Sequence, residues 1–339
     1  MLNIAMLSMA HVHANGYGDH VARHPEAKLQ CIWDDDPARG QAASKRFGVP
    51  WFDDLDQVVR DPGIDAVVVN TPTAQHPRVI KAAVQRGKHI FTEKALAIST
   101  TDADEIVTLI KGSTIKFMIS LPSRVRSENL FMRHVLDQGW LGKITLMRAR
   151  VAHMAALDRW FSGPSAWFGD AAQAGGGALF DLGCHTTDIM RWLMGPPKSV
   201  IAKVQNLSGA YPIDDNSAAI VEFRSGALGI LDTAWVHRAG PNPYELYGTD
   251  GYLGYNTGPD AGLTLTSTQL SAQDVQGYIR PVNLPKSLPM PMDQWISAIL
   301  HGTPMAITVE DGRNLTEMLE GIYRAAQSGR EYSFAGGTA

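Results

Sequence analysis

A chain of 339 residues, 45% hydrophobic and 19% charged, has ordinary globular composition and enough length for two domains, which excludes extensive disorder. A formal net charge of −4 offers no basic field for nucleic acid or an anionic membrane surface, so neither is expected as a partner. The two cysteines, Cys31 and Cys184, make no disulfide framework. The start Met1–Leu7 lacks a secretory pattern, and no apolar run approaches the ~20 residues that span a bilayer, so a cytoplasmic protein is expected.

The first third alternates short apolar runs with helical segments. Residues 2–7 predict a strand, followed by the turn Ser8-Met9-Ala10-His11-Val12-His13-Ala14. A dinucleotide site places three glycines in such a turn, where backbone N–H groups and a helix N-terminus hold the pyrophosphate. Here Ser8, Ala10 and His13 occupy those places, and an ordinary strand-to-helix turn fits equally well. Residues 28–34 predict the second strand. Asp34 closes it at about the distance where an acidic residue binds the adenosine ribose, with Asp35 and Asp36 beyond and no arginine directly there. Three carboxylates would repel a 2′-phosphate, so NAD is expected rather than NADP.

A helix over 37–47, strands 65–70, 88–92 and 115–120, and a helix over 74–86 ending at Gly87 complete the pattern. Strands that are apolar throughout, separated by helices, imply a parallel sheet covered on both faces, with ligands at the carboxyl ends of the strands. Ser8, Ala10, His11, His13, Asp34, Asp35, Thr71, Pro72, His76, Glu93 and Lys94 form the expected cofactor set. Lys94 is also a candidate proton donor, although most lysines at strand ends are simply surface residues. His11 and His13 could be metal ligands, but with no cysteine or carboxylate at metal spacing no metal is expected.

The domain boundary is expected near residue 122, giving domains 1–122 and 123–339. Beyond it, strands are predicted at 143–153, at 218–224 and 227–235 around a two-residue turn Ser225-Gly226, and near 244–248 and 263–268, a mostly antiparallel sheet. In the hairpin, Ile220 with Leu231 and Trp235, and Val221 with Phe223 and Ile230, make both faces apolar and predict a homodimer or homotetramer. Thr308 and Asp311 form a capping-box-like start to an amphipathic helix carrying Leu315, Met318, Leu319 and Ile322.

Between these elements lies Gly175-Gly176-Gly177 followed by Asp181 and His185, which stand four apart and would share a helical face, with Asp188 next on it. Histidine suits general-base work near neutral pH and a carboxylate can orient it, though a capped core helix with a satisfied histidine explains the pattern as well. Arg124, Arg126, His153, Trp160 and Trp167 are candidate sugar contacts; packing in loops explains each equally well.

Glu93-Lys94, Gly175–Gly177 through Asp181-Leu182-Gly183-Cys184-His185, Gly139-Trp140-Leu141-Gly142-Lys143 and Tyr247–Gly251 together resemble the Gfo/Idh/MocA family over nearly the whole chain. The resemblance implies a Rossmann domain, a C-terminal α+β domain with a large open sheet that commonly forms a subunit interface, and Lys94, Asp181 and His185 as the catalytic set. It departs from the family at the glycines of the turn and at Ala95, where the family's motif has proline, often after a cis peptide. The expected activity is NAD-dependent hydride exchange at a hydroxyl-bearing carbon of a sugar, polyol or inositol-like substrate. An NAD-dependent glycosidase using transient oxidation and a non-catalytic NAD-binding sensor are the alternatives.

Overall fold

The computed structural model describes residues 1–256, 262–271 and 277–335; the tail of the expected second domain, residues 336–339, lies outside them. The chain forms two units that are not contiguous in sequence. The first is Met1–Leu121, Phe161–Gly175 and Pro289–Thr316; the second is Pro122–Trp160, Gly176–Leu288 and Glu317–Ala339. The first unit therefore draws in two later segments that a single division near residue 122 assigns elsewhere.

In the first unit six strands form one sheet: β1 (Leu2–Leu7), β2 (Ala27–Trp33), β3 (Trp51–Phe52), β4 (Ala66–Val69), β5 (His89–Thr92) and β6 (Phe117–Ile119). Their order is β3-β2-β1-β4-β5-β6 and every pairing is parallel. This is the doubly wound arrangement whose strand order reverses at β1, beside which ligands bind. Residues 4–7 and 66–69 are fully buried, as the unbroken apolar runs predict. The edge strand β3 was not expected: two residues, paired to Ile32 and Trp33, leave no periodicity to read.

Five helices accompany the sheet: α1 (Ala14–Arg23), α2 (Pro37–Phe47), α3 (Leu55–Arg60), α4 (His76–Val84) and α5 (Thr100–Lys111). The α2 bounds follow from its ends. Asp36 accepts the N–H groups of Ala38 and Arg39, Pro37 fits the first turn, and Gly48 closes the helix at φ 67°. The late segments are built in by tryptophans. In helix Pro291–His301, Trp295 is fully buried, donates its indole N–H to Lys116 O at 3.1 Å, and lies 5.8 Å from the Phe91 ring. Thr308 and Asp311 form the expected reciprocal cap: Thr308 N–H donates to Asp311 Oδ2 and Asp311 N–H to Thr308 Oγ1.

The second unit is an eight-stranded mixed sheet, β13-β12-β11-β7-β10-β9-β8-β14. Its strands are β7 (Ile144–Ala152), β8 (Pro197–Gln205), β9 (Asn216–Phe223), β10 (Leu228–Ala234), β11 (Tyr244–Gly248), β12 (Gly251–Asn256), β13 (Gly262–Ser267) and β14 (Tyr332–Ser333). Among the described strands only β7 and β10 pair in parallel. The β9–β10 turn differs from expectation. Phe223 N–H donates to Ala227 O, so the turn holds residues 224–226, with Gly226 at φ 86°.

That turn sets the register and re-sorts the two faces. Ile230 lies opposite Ile220, and Leu231 opposite Ala219. Val221, Phe223 and Leu231 therefore form the buried face, each contributing about 1.5–3 kcal/mol by burial. Ile201, Ile220 and Leu228 are 49%, 43% and 44% exposed. The expected pairing of Ile230 with Val221 and of Leu231 with Ile220 is thus reversed, since one residue of register exchanges faces. Helix Gly183–Met194 covers the buried face. A Cβ at Gly229 would stand 2.6 Å from Met190 Sδ, and one at Gly183 2.8 Å from Thr233 Oγ1.

Candidate active site

At the carboxyl end of β1 the chain turns through Ser8, whose φ of 72° is the left-handed conformation glycine takes most easily. Serine holds it by its side chain. Ser8 Oγ accepts the Ala10 N–H at 3.1 Å and donates to Asp34 Oδ2 at 3.4 Å. Met9 N–H donates to the same Oδ2 at 2.7 Å. Helix α1 then begins without an acidic residue in its first turn or a side-chain cap from His13. Ala14 N–H donates to His11 O at 3.0 Å, so the N–H groups that follow it, those of Asn15 and Gly16, are the ones left for an anion.

Asp34, expected to bind the adenosine ribose, is fully buried. Both its oxygens take the Arg39 guanidinium, with Nε at 3.0 and 2.8 Å and Nη2 at 2.6 Å, and Oδ1 also accepts the Asp36 N–H. Arg39 reaches on to Asp35 Oδ1 at 2.9 Å. The expectation of no arginine at this place is corrected: Arg39 is five positions on, and the first turn of α2 folds it back. Burial lowers the Arg39 pKa, but Asp34 and the two further carboxylates more than offset this, so it is raised. Asp35 and Asp36, about half exposed, are the carboxylates that face solvent.

These residues border a cleft of about 820 Å³ lined by Met9, Asn15, Asp35, Arg39, Pro72 and Trp167 among others. It is within the range of small-molecule and cofactor sites. At the end of β4, Asn70 Oδ1 and Thr71 Oγ1 are buried without a protein partner. The N–H groups at the start of α1, the carboxylates at the β2 end and the orphaned polar atoms beside Pro72 together fit a dinucleotide. Two expected site residues make structural contacts. His76 is buried, with Nδ1 3.0 Å from Ala95 O and Nε2 3.2 Å from Thr71 O, so it ties two loops together; burial lowers its pKa. Trp167, expected against substrate, belongs to the first unit and donates its indole N–H to Ala10 O at 3.0 Å, bracing the turn.

Glu93 and Lys94 leave β5 with both side chains buried, and the Lys94–Ala95 peptide is cis. Glu93 Oε1 accepts from Tyr17 Oη at 2.6 Å and from His13 Nδ1 at 2.9 Å, with His11 Nδ1 at 3.6 Å. Oε2 accepts the Lys94 N–H at 3.1 Å. Burial alone would raise the Glu93 pKa, but His11, His13 and Lys94 hold it far below the usual carboxylate range, so it is ionised. The reason given for setting a metal aside, that no carboxylate accompanies His11 and His13, does not hold in space. The carboxylate is 80 positions away in sequence.

In the second unit the glycine pair has a steric cause. A Cβ at Gly177 would meet Asp214 O at 1.9 Å, and one at Gly176 would meet Tyr323 Oη at 2.1 Å. Asp214 Oδ1 accepts the Gly177 N–H at 2.7 Å and the Tyr323 hydroxyl at 2.8 Å, and Oδ2 accepts the Leu179 N–H. Burial raises its pKa despite these bonds. The segment so fixed carries Asp181 and His185 on two helices, Ala178–Asp181 and Gly183–Met194, instead of the single expected one. His185 N–H donates to Leu182 O, three residues back. Both side chains are half-buried. Asp188 faces inward and takes Arg124 in a buried bidentate pair, at 2.9 and 2.7 Å, which removes Arg124 from the readily available substrate contacts. Arg126 is exposed, and His153 lies 4.8 Å from the half-exposed Trp160 ring. Sequence reasoning missed Tyr17, Arg39, Asp214 and Tyr323. Only Tyr17 carried a signal, standing four positions from His13.

Two family models match the chain: the Gfo/Idh/MocA oxidoreductase family, NAD-binding Rossmann fold, over residues 7–120, and the GFO/IDH/MocA C-terminal domain over 130–254. Scyllo-inositol 2-dehydrogenase (NAD(+)) of Bacillus subtilis is 27% identical over 267 residues, covering 74% of this chain and 72% of that protein. The 1,5-anhydro-D-fructose reductase of Ensifer adhaerens is 27% identical over 261 residues, 76% of each chain. The solved structure of GenD2 from gentamicin A biosynthesis, in complex with NAD, superposes with a TM-score of 0.80 at 25% identity, over 99% of this chain and 97% of that one.

Proposed function

The chain belongs to the Gfo/Idh/MocA family of oxidoreductases, and from that premise we propose that it oxidises or reduces a hydroxyl-bearing carbon of a sugar, polyol or inositol-like substrate. The observation that carries the reading is the match of both family domains to a chain whose first unit has an 820 Å³ cleft beside the β1 turn. When bound there, NAD supplies the hydride acceptor or donor. The start of α1 holds the phosphates, Asp35 and Asp36 face the adenosine end, and Asp34 with Arg39 keeps the turn in shape.

The proton chemistry is assigned to Lys94, Asp181 and His185. In the oxidising direction a ring nitrogen of His185 takes the substrate hydroxyl proton. The Lys94 ammonium stabilises the alkoxide as it develops, and Asp181 orients the imidazole or a neighbouring hydroxyl. Arg126, His153 and Trp160 are the remaining candidates for sugar contacts. Among the described residues no helix is long and apolar enough to cross a membrane. We read the protein as cytoplasmic, and as a homodimer or homotetramer through the exposed face carrying Ile201 and Ile220.

The test is a panel of polyols, aldoses, inositols and glycosides followed by NADH absorbance. At least one member of the hydroxyl-bearing set should drive net NADH formation. Sugar release without net NADH would replace this reading with a glycosidase. Tight NADH binding with no turnover across the panel would replace it with a sensor.

A further inference from the structure

His11 and His13 leave the β1 turn and Glu93 leaves β5, yet the three side chains converge. His13 Nδ1 lies 2.9 Å and His11 Nδ1 3.6 Å from one oxygen, Glu93 Oε1, and one donor atom from each residue falls within 4.8 Å of the others. Among the described residues this is the one group of three such side chains that stands so close. A cation held ~2.1 Å from nitrogen and oxygen donors spaces its ligand atoms about 3.0–3.4 Å apart, so the two separations to Glu93 Oε1 need adjustments of only a few tenths of an ångström, and the histidine donors, within 4.8 Å of each other, would draw together around the ion. The geometry points to a divalent transition-metal site formed by His11, His13 and Glu93.

The surroundings suit that role. His13 N–H donates to His11 Nδ1 at 3.2 Å, so that nitrogen is unprotonated, and its lone pair would exchange this bond for the metal. The ligating carboxylate is oriented from outside the group. Tyr17 Oη donates to Oε1 at 2.6 Å, the Ser120 hydroxyl lies 2.8 Å from Tyr17, and Lys94 N–H donates to Oε2. Phe168 and Trp167 stand 5.3 and 6.0 Å from the His11 ring and give the site an apolar wall. Two imidazoles and one carboxylate without a thiolate favour Zn²⁺, Fe²⁺ or Mn²⁺ over Ca²⁺ or Mg²⁺, and leave positions open for water or an oxygen of a bound ligand. The His13 side chain is 53% exposed, which gives the ion an entry path.

The alternative occupant of the same space is a proton, with His13 simply hydrogen-bonded to Glu93, and metal analysis separates the two. The full-length protein is stripped with chelator, dialysed against micromolar Co²⁺ or Zn²⁺, and read by elemental analysis and by the visible Co²⁺ bands. The expected result is one ion per chain, with affinity reduced about tenfold or more in His13→Gln and in Glu93→Gln. His13 is half-exposed and glutamine keeps a donor for Glu93, so His13→Gln should fold and decides the matter even if Glu93→Gln does not. Wild-type protein that retains no ion overturns the site. So does binding unchanged in His13→Gln, which would place the metal at another histidine such as His20 beside Asp293. None of these readouts depends on turnover, so the site stands or falls separately from the assigned oxidoreductase activity.

Discussion

Tyr17 and Glu93 are 76 positions apart in the chain, and the phenol donates to the carboxylate across 2.6 Å. Burial, then the Glu93 charge, pushes the Tyr17 pKa well above 10.0, so the phenol remains a donor throughout the neutral range. Replacing Tyr17 with Phe removes one hydrogen bond to a buried charge and should cost about 1.5–3 kcal/mol in urea unfolding. The Lys94 amide, which donates to the same carboxylate, should exchange its hydrogen faster in the variant. An unchanged unfolding midpoint would mean that the phenol contributes nothing there.

If Lys94 and His185 form the proposed proton-transfer unit, variants of the two should fail together. Lys94→Met and His185→Asn are each expected to lower kcat by ~10²-fold or more while NADH affinity changes little, with the double variant little worse than the poorer single. Steady-state turnover beside cofactor titration on all three variants checks this. Near-normal turnover in Lys94→Met would remove the lysine from the chemistry.

The pairing of Arg39 with Asp34 makes two separable predictions. Arg39→Met leaves a fully buried carboxylate without its counter-charge and should cost about 3 kcal/mol, since the Met9 and Asp36 N–H bonds remain. Asp35 and Asp36 still face the cleft, so NADH should bind more tightly than NADPH by about tenfold, or ~1.4 kcal/mol. Fluorescence titration of both cofactors reads the second, and equal affinities would refute it.

Asp214 gives the second unit a pH signature. Its folded pKa is raised above 3.8, so the folded state binds this proton more tightly than the unfolded chain does. The contribution is complete below pH 3.8 and is lost as pH rises through the folded pKa. The stability margin of wild type over Asp214→Asn should therefore shrink from acid pH toward neutrality in urea melts at stepped pH. A margin that grows with pH would reverse the sign and refute burial as the dominant cause.

Oligomerisation through the open face of the second sheet is tested by light scattering. Wild type should be a dimer or tetramer at micromolar concentration. Ile220→Lys, which puts a charge among Ile201, Ile220 and Leu228, should shift it toward monomer without loss of helix or strand signal. A monomeric wild type ends the proposal.

The first sheet was readable because each long strand is buried on both faces and so is apolar throughout. Helix α2 was readable because its cap, its proline and its closing glycine are local signals. What escaped depends on contacts that have no local pattern. Arg39 meets Asp34 only after α2 turns, and Glu93 meets His13 only after β4 is inserted between their strands. The hairpin faces were mis-sorted because a three-residue turn and a two-residue turn look alike until the register is seen. The glycine triplet stands out in the sequence, but Asp214 and Tyr323, the residues its backbone approaches, lie 37 and over 100 positions on.

The two tryptophans of the late segments bear on how the protein could be taken apart. A fragment ending at Leu121 would hold all six strands and the whole β1 turn, yet it would lack Trp167 on the Ala10 carbonyl and Trp295 over Phe91. Proteolysis or gene truncation at that point would therefore not liberate a working nucleotide-binding module. It would uncover two aromatic-sized apolar patches, one beside the β1 turn and one at the β5–β6 side of the sheet. A functional minimal version of this unit requires grafting 161–175 and 289–316 back onto it.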